Sequence, residues 1–243
     1  MTRFIRHILA AFATSLIILP ALAAPPKIQP ERPDMEKIRK EVTDPKSRYY
    51  YPKLMERYER NETINMNLQD YRHLYLGMIF QEDYNPYRKS PYAHYVDELY
   101  FKKEHSRREL DSIDKYARLV LEDNPFDLEQ INFLIYSLRK RGKNNLANIW
   151  QFRLNHLIEA ILSTGTGLDT DNAWIIIDPK HEYNIVNFQN AIVDKVEFTP
   201  PYYEYVRLTS SDNDRGSDKR PEGFFFDIRH ILSEYNRKFP DEE

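Results

Sequence analysis

Residues 124–142, NPFDLEQINFLIYSLRKRG, carry the sharpest local signals for how this chain folds. Pro125 ends one helix, because proline lacks a backbone N–H and disfavours a helical conformation in the residue before it. Asp127 is placed as the N-cap of the next helix, with Gln130 at the N3 position of a capping box. Gly142 is typical of the residue just beyond a helix C-terminus. The stretch therefore predicts one helix with two defined ends.

Helical patterning extends on both sides of that stretch, over residues 34–164. Apolar side chains recur every three or four positions within 67–81, as on one face of an amphipathic helix; they are Leu68, Tyr71, Leu74, Tyr75, Met78 and Ile79. Ser106 and Glu109 form another capping box, so a helix is predicted to begin there. A further helix resumes near Asn144. The region is predicted to contain consecutive antiparallel helices.

The spacing of these helices resembles that of a tetratricopeptide repeat. With Leu128 at the first position, Gly142 and Ala147 stand where the repeat prefers small residues, and Pro125 stands where a preceding repeat ends. The match is partial, since no proline occurs near Glu159. A degenerate repeat and an ordinary helical bundle are both open interpretations.

Residues 165–243 change to a β-rich pattern. Short segments rich in β-branched and aromatic residues, separated by turn residues, are candidate strands; they span 174–177, 182–188, 195–198, 202–208 and 224–228. The polar stretch 210–222 is predicted to be a loop, and 229–238 a closing helix. The predicted fold class is α+β, with N-terminal antiparallel helices packed on a small C-terminal antiparallel sheet in one compact unit.

Residues 1–23 are predicted to be a secretory signal peptide. Arg3 and Arg6 supply the positive start, residues 9–19 are almost wholly apolar, and residues 21–23 give the small-x-small cleavage pattern. The alternative, a membrane anchor, needs about 20 apolar residues, more than this run supplies. We expect an exported protein, periplasmic or secreted. Because the chain has no cysteine, it is not expected to be a lipoprotein or to contain disulfides.

Residues 24–33 contain closely spaced prolines and are predicted to be a flexible arm between the signal peptide and the fold. The formal net charge of −3 argues against nucleic acid as a partner, and no membrane insertion is expected after signal cleavage. The sequence contains no Walker loop, no Rossmann glycine fingerprint and no nucleophile elbow. We therefore expect neither a cofactor nor a metal.

His181 and Glu182, near Asp178, are the candidate catalytic residues. A histidine and two carboxylates on a tight turn, here a predicted hairpin, can share a proton or bind a cation. The alternative is an ordinary polar turn, because no HExxH or comparable ligand spacing accompanies these residues.

A loop rich in tyrosine is the candidate binding surface, and its named residues are Tyr84, Tyr87, Arg88 and Tyr92. Tyrosine rings stack on sugars or peptide prolines, and an arginine orients a charged group. The alternative is that the rings pack the seam between helices and sheet. We expect Tyr87 to be exposed, and Tyr95 and Tyr100 to be buried beside a short helix over 95–102.

Four phrases of the sequence resemble an exported family of Bacteroidetes proteins catalogued as domain of unknown function 4919. They are YYYPKLMERY at 49–58, YRHLYLGMIFQEDYNPYR at 71–88, EDNPFDLEQINFLIY at 122–136 and AWIIIDPKHEYNIVNF at 173–188. The resemblance implies a signal peptide and export. It supplies no activity and no site residues.

The leading functional hypothesis is an exported binding or adaptor module that recognises a peptide, protein or glycan through an aromatic surface. Helical repeats usually serve as scaffolds, and no catalytic spacing competes with that interpretation. The alternative hypothesis is a periplasmic hydrolase-like enzyme that uses His181 and Glu182.

Overall fold

The computed structural model of the protein describes residues 29–60, 65–100, 102–209 and 221–240. Within these residues, helices come first, and a four-stranded sheet with a closing helix follows, which confirms the α+β class. The predicted signal peptide 1–23, residues 24–28 of the predicted arm and residues 210–220 of the predicted loop lie outside the described residues.

The described helices and strands have the following bounds. The first part contains α1 (Met35–Thr43), α2 (Tyr51–Glu59), α3 (Leu68–Gly77) continued by a 3-10 turn (Met78–Phe80), α4 (His94–Tyr100), α5 (Arg107–Asp123), α6 (Leu128–Lys140) and α7 (Asn144–Leu162). The second part contains β1 (Trp174–Ile175), α8 (His181–Phe188), β2 (Val193–Thr199), β3 (Tyr203–Leu208), β4 (Gly223–Asp227) and α9 (Arg229–Lys238).

The helix ends predicted from local signals are confirmed. The side chain of Ser106 caps α5 in a complete capping box with Glu109. Asp127 Oδ1 accepts the backbone N–H of Gln130 at 3.0 Å and caps α6. Gly142 has φ of +71°, a conformation that favours glycine because it has no Cβ. Each cap satisfies backbone groups that a helix end otherwise leaves without partners.

Helix α3 is the most buried helix of the first part, with every residue from Asp70 to Gly77 inaccessible or nearly so. It packs against α1, α2 and α7. At Gly77 a Cβ atom would lie 2.9 Å from Cγ1 of Val42, so only glycine allows α1 to approach this closely. The predicted helix over 67–81 is confirmed, with Asn67 as its N-cap and a 3-10 turn at its end.

The sheet is mixed rather than wholly antiparallel as predicted. Its strand order is β1-β4-β3-β2. Strands β2 and β3, and β3 and β4, pair antiparallel, whereas β1 runs parallel to β4, with Trp174 opposite Phe226. The sequence order does not reveal this pairing, because β1 and β4 are about fifty residues apart and meet only in the folded chain.

The prediction of a strand over 182–188 is wrong, because this segment forms helix α8. Its buried residues are His181, Glu182, Ile185 and Val186. They occur in pairs four residues apart, so they share one helix face and do not alternate as in a strand. Asp178 forms the turn that precedes the helix: its backbone carbonyl accepts the N–H of His181 at 3.0 Å, and its Oδ1 accepts that of Lys180 at 2.9 Å.

One cluster of buried apolar side chains runs from α1 through the helices to the sheet and α9. The chain joins this body before α1, within the predicted flexible arm. The N–H of Glu31 donates to the carbonyl of Ser163 at 2.9 Å, and Arg32 forms an ion pair with the buried Asp227. These contacts hold residues 31–33 of the predicted arm against the fold. In the described part of the chain, no helix is both long and apolar enough to cross a membrane.

Candidate functional site

Four of the predicted site residues line one small cavity, which we call the inner pocket. They are Tyr84, Arg88, Asp178 and His181. The cavity has a volume of about 20 Å³, enough for about one water molecule. The structure therefore brings the tyrosine loop and the candidate catalytic segment together, although the inner pocket has no room for a substrate.

Both ring nitrogens of His181 are engaged inside the protein. The residue is only 1% exposed and lies in the first turn of α8, not on the predicted hairpin. Its Nε2 donates to the carbonyl of Phe126 at 3.0 Å, because a carbonyl oxygen only accepts. Its Nδ1 is hydrogen-bonded to the hydroxyl of Tyr75 at 2.7 Å. These two hydrogen bonds hold the ring in one orientation and tie α8 to α3 and to the turn before α6.

Asp178 and Tyr84 also serve to join segments. Oδ2 of Asp178 accepts from the side-chain amide of Asn124 at 3.2 Å, across the turn before α6. The hydroxyl of Tyr84 donates to the carbonyl of Ile177 at 2.9 Å. Burial raises the pKa of Tyr84 well above its usual value. The walls of the inner pocket are thus hydrogen-bonded to one another.

Glu182 points away from the inner pocket, toward the sheet. It is 2% exposed, its Oε1 is buried without a hydrogen-bond partner among the described residues, and its carboxyl lies beside that of Glu204 on β3. Burial, with the neighbouring Glu204 carboxyl, raises the pKa of Glu182 to about 10. This shift favours the protonated form of Glu182 at neutral pH, and Glu182 does not line the inner pocket with His181. The predicted catalytic group does not assemble as one site.

The other tyrosines of the predicted binding loop lie at the surface, outside the inner pocket. Tyr87 is 38% exposed, as expected, although its hydroxyl donates to the carbonyl of Ile231 at 3.3 Å. Tyr92 is 37% exposed. The prediction that Tyr95 is buried is wrong: it is 48% exposed, although its ring stacks on Tyr116 of α5 and lies beside His94. The side chain of Tyr100 lies outside the described part.

A larger cavity adjoins the inner pocket, and we call it the α2–α7 cleft. It has a volume of about 440 Å³ and shares Met78, Asp83, Arg88 and Asp123 with the inner pocket. Its aromatic residues are Tyr51, Tyr58 and Trp150, its other arginines are Arg118 and Arg153, and its other acids are Glu59 and Glu122. The cleft therefore offers aromatic surface together with charges of both signs.

A ladder of arginines and rings forms one wall of the cleft. The guanidinium of Arg153 lies between Tyr58 and Trp150, 4.6 Å and 4.4 Å from their ring centroids. Arg118 lies 5.9 Å from the centroid of Trp150. Arg153 is 4% exposed, donates to the backbone carbonyls of Tyr58 and Glu59, and has its pKa lowered by burial. The ladder is therefore held rigid before any ligand arrives.

Sequence reasoning missed the residues of this wall. The sequence pattern predicts the helix that begins near Asn144, but it singles out neither Trp150 nor Arg153 as a site residue. A signal was present: an arginine three residues after a tryptophan, in line with an apolar helix face, indicates a charge held against a ring. In the described part of the chain, no group of three or more histidines and carboxylates is placed to hold a metal ion.

Comparison with known proteins gives one match. The sequence model of a family described as "Domain of unknown function (DUF4919)" matches residues 36–237. No curated protein and no solved structure matches the chain.

Proposed function

This chain belongs to the family of domain of unknown function 4919, and from that premise we propose an exported binding module that holds a peptide segment of a partner protein in the α2–α7 cleft. The observation that carries this proposal is the ladder of Arg118, Trp150, Arg153 and Tyr58 beside an open cavity.

The size and composition of the cleft support binding. Its volume of about 440 Å³ falls within the range of about 300–1,000 Å³ that is usual for ligand sites. Tryptophan, tyrosine and arginine are also the residues that contribute most to protein recognition. Because the ladder is already packed and hydrogen-bonded, little side-chain freedom remains to be lost when a ligand binds.

The charges in the cleft favour a peptide over a neutral glycan. Arg88 and Arg118 supply donors, while Asp83 and Glu122 supply carboxylate acceptors on the same cavity. A polypeptide segment carries amide donors and acceptors and side chains of both signs, so it can pair with all four. A neutral sugar leaves the charged groups without oppositely charged partners.

The surroundings of His181 and Glu182 support binding over hydrolysis. A general base must reach the proton that it abstracts, and both nitrogens of His181 are occupied by Tyr75 and Phe126. Glu182 faces Glu204 and not the inner pocket. The hydrolase hypothesis has no such geometric support.

Export is the second part of the proposal, and the sequence of residues 1–23 supports it. Mass spectrometry of the protein isolated from its natural source should find Ala24 as the first residue. A first residue at Met1 or Thr2 would contradict export through a cleaved signal peptide, and it would leave the cleft proposal unaffected.

Selection from a random peptide library displayed on phage tests the binding proposal. Peptides enriched on the wild-type protein should bind Trp150→Leu at least about tenfold more weakly, a loss of about 1.4 kcal/mol. Tyr92→Ala is the matched control, because Tyr92 is exposed and does not line the cleft. Failure to enrich any peptide, or equal binding to Trp150→Leu, would contradict the proposal.

A further inference from the structure

We propose a second binding site, for a neutral sugar, in a groove between α6, α7 and α8. We call it the amide groove, and its volume is about 330 Å³. It lies on a different face of α7 from the α2–α7 cleft, because Gln151 and Asn155 line the groove whereas Trp150 and Arg153 line the cleft. The site therefore goes beyond the proposed peptide-binding function and is independent of it.

The lining of the groove is rich in side-chain amides. They are Asn132, Gln151, Asn155, Asn184, Asn187 and Asn190. Glu129 is the one charged residue among the described residues of the lining, and no arginine or lysine belongs to it. A phosphate or carboxylate ligand needs a cationic partner, so the groove selects against anions.

Amides suit the hydroxyl groups of a sugar. Each side-chain amide offers two donors and an acceptor oxygen, and each hydroxyl both donates and accepts. The two α7 amides are already engaged, because Gln151 donates to Asn155 Oδ1 and accepts from Arg139, each at 2.9 Å. The contacts with ring hydroxyls are therefore expected chiefly from the amides of α6 and α8. In the described part of the chain, the side chains of Asn132 and Asn187 are exposed and make no hydrogen bond with other residues.

One atom of the groove lacks the partner that its burial requires. Oδ1 of Asn184 is inaccessible to solvent, and no described residue donates a hydrogen bond to it. A buried acceptor without a donor costs about 1–3 kcal/mol, and such atoms are rare in folded proteins. A ligand hydroxyl would supply the missing donor once the Asn184 side chain turns toward the groove on binding.

An exposed ring completes the site. Phe188, the last residue of α8, lines the groove and is 50% exposed. The buried Leu128, Leu154 and Ile158 form the apolar part of the lining. Aromatic and apolar surface with a few placed polar groups is the usual composition of a small-ligand site. The ring can cover the C–H face of a sugar while the amides contact its edge.

The volume limits the size of the ligand. At about 330 Å³ the groove stands near the lower end of the range of about 300–1,000 Å³ for ligand sites. This size matches one or two sugar rings, as at the end or within a short stretch of a polysaccharide. The ligand class is therefore a neutral hexose oligosaccharide.

A printed array of neutral hexose oligosaccharides, with sialylated and sulfated glycans beside them, tests this inference. The wild-type protein should bind neutral glycans and not acidic ones. Titration calorimetry with the best neutral glycan should then show affinity lower by at least about tenfold in Phe188→Ala and in Asn187→Ala, as expected for loss of a stacked ring or a polar anchor.

Matched variants separate the groove from the rest of the surface. Phe198→Ala removes an equally exposed phenyl ring on β2, and Asn236→Ala removes an exposed amide on α9; both should bind the sugar as the wild type does. Trp150→Leu, which disables the α2–α7 cleft, should also leave sugar affinity unchanged. The inference is overturned if the protein binds no neutral glycan on the array or prefers acidic glycans. It is also overturned if Phe188→Ala binds the sugar as tightly as the wild type does.

Discussion

The surroundings of His181 and the α2–α7 cleft both contain polar side chains. They differ in whether those side chains are available to contact a ligand. The two nitrogens of His181 are bonded to Tyr75 and Phe126 inside the protein. In the cleft, charged groups and rings line a cavity of about 440 Å³. The residues that suggest catalysis in the sequence hold the fold together, and the residues that face open space are those that favour recognition.

This difference follows from where each group lies in the fold. His181 on α8 joins α3 and the turn before α6, so its hydrogen bonds replace contacts with water that burial removes. Trp150 and Arg153 stand at the edge of α7, where one side packs and the other side meets the cavity. Residue type alone does not separate a structural histidine from a catalytic one, because the decisive fact is whether its nitrogens are occupied.

The largest expected effect is on stability and comes from His181→Ala. The change removes the donor to the Phe126 carbonyl, leaves the Tyr75 hydroxyl with only the N–H of Ile177 as a partner, and opens a cavity. Unfolding free energy should therefore fall by about 3–5 kcal/mol. Chemical denaturation measures this loss. His94→Ala is the control, because His94 is exposed on α4. A loss below about 1 kcal/mol would show that His181 is not a structural residue.

The next effect concerns the pH dependence of stability through Glu182. Burial and the Glu204 carboxyl raise the pKa of Glu182 from 4.5 to about 10. The folded protein therefore holds a proton that the unfolded chain releases above its own pKa, so stability is greatest at low pH and falls as the pH rises. Between about pH 6 and pH 8 the unfolding free energy should drop by about 2–3 kcal/mol from this group.

Glu182→Gln isolates this contribution. Glutamine keeps the shape and a donor for Glu204 but cannot ionise, so the variant should lose this part of the pH dependence. Denaturation of both proteins across the same pH range provides the comparison. Parallel pH profiles for the two proteins would contradict a buried, protonated Glu182.

A smaller effect is expected at the start of α6. Asp127→Ala removes the acceptor for the N–H of Gln130, and loss of an N-cap typically costs about 1 kcal/mol. Asp127→Asn is the matched control, since asparagine caps about equally well. Equal melting of the alanine variant and the wild type would show that this cap does not stabilise the helix.

The smallest effect is expected for Tyr92→Ala. Tyr92 is exposed and lies outside both the inner pocket and the α2–α7 cleft. Its replacement should change unfolding free energy by no more than about 0.5 kcal/mol. Thermal melting checks this, and a larger loss would place Tyr92 in the packed body of the protein.

The sequence predicts those parts of the fold that depend on near neighbours. The caps at Ser106 and Asp127 and the turn at Gly142 depend on residues three or four positions apart, so their patterns can be recognised in the sequence. The pairing of β1 with β4 cannot be recognised in this way, because it joins segments that are far apart in the sequence. Helix α8 was mistaken for a strand, since eight residues are too few for a distinct period.

Prediction of the candidate site is limited in the same way, because its residues meet only in the folded chain. The sequence identified Tyr84, Arg88, Asp178 and His181 as separate clusters, and only the fold brings them to one inner pocket. It gave no sign that the His181 nitrogens are occupied, because the partner atoms come from α3 and from the turn before α6. Trp150 and Arg153 were missed because their apolar helix face predicted core and not a cleft.

The most direct test of the account compares Tyr75→Phe with Trp150→Leu in both stability and affinity for a peptide enriched on the wild-type protein. Tyr75→Phe removes only the hydroxyl, which is hydrogen-bonded to Nδ1 of His181 and accepts the N–H of Ile177. It should lower the melting temperature and leave affinity unchanged below that temperature. Trp150→Leu should weaken peptide binding by at least about tenfold, with a smaller change in melting. Loss of peptide binding in Tyr75→Phe, with full binding in Trp150→Leu, would contradict the account.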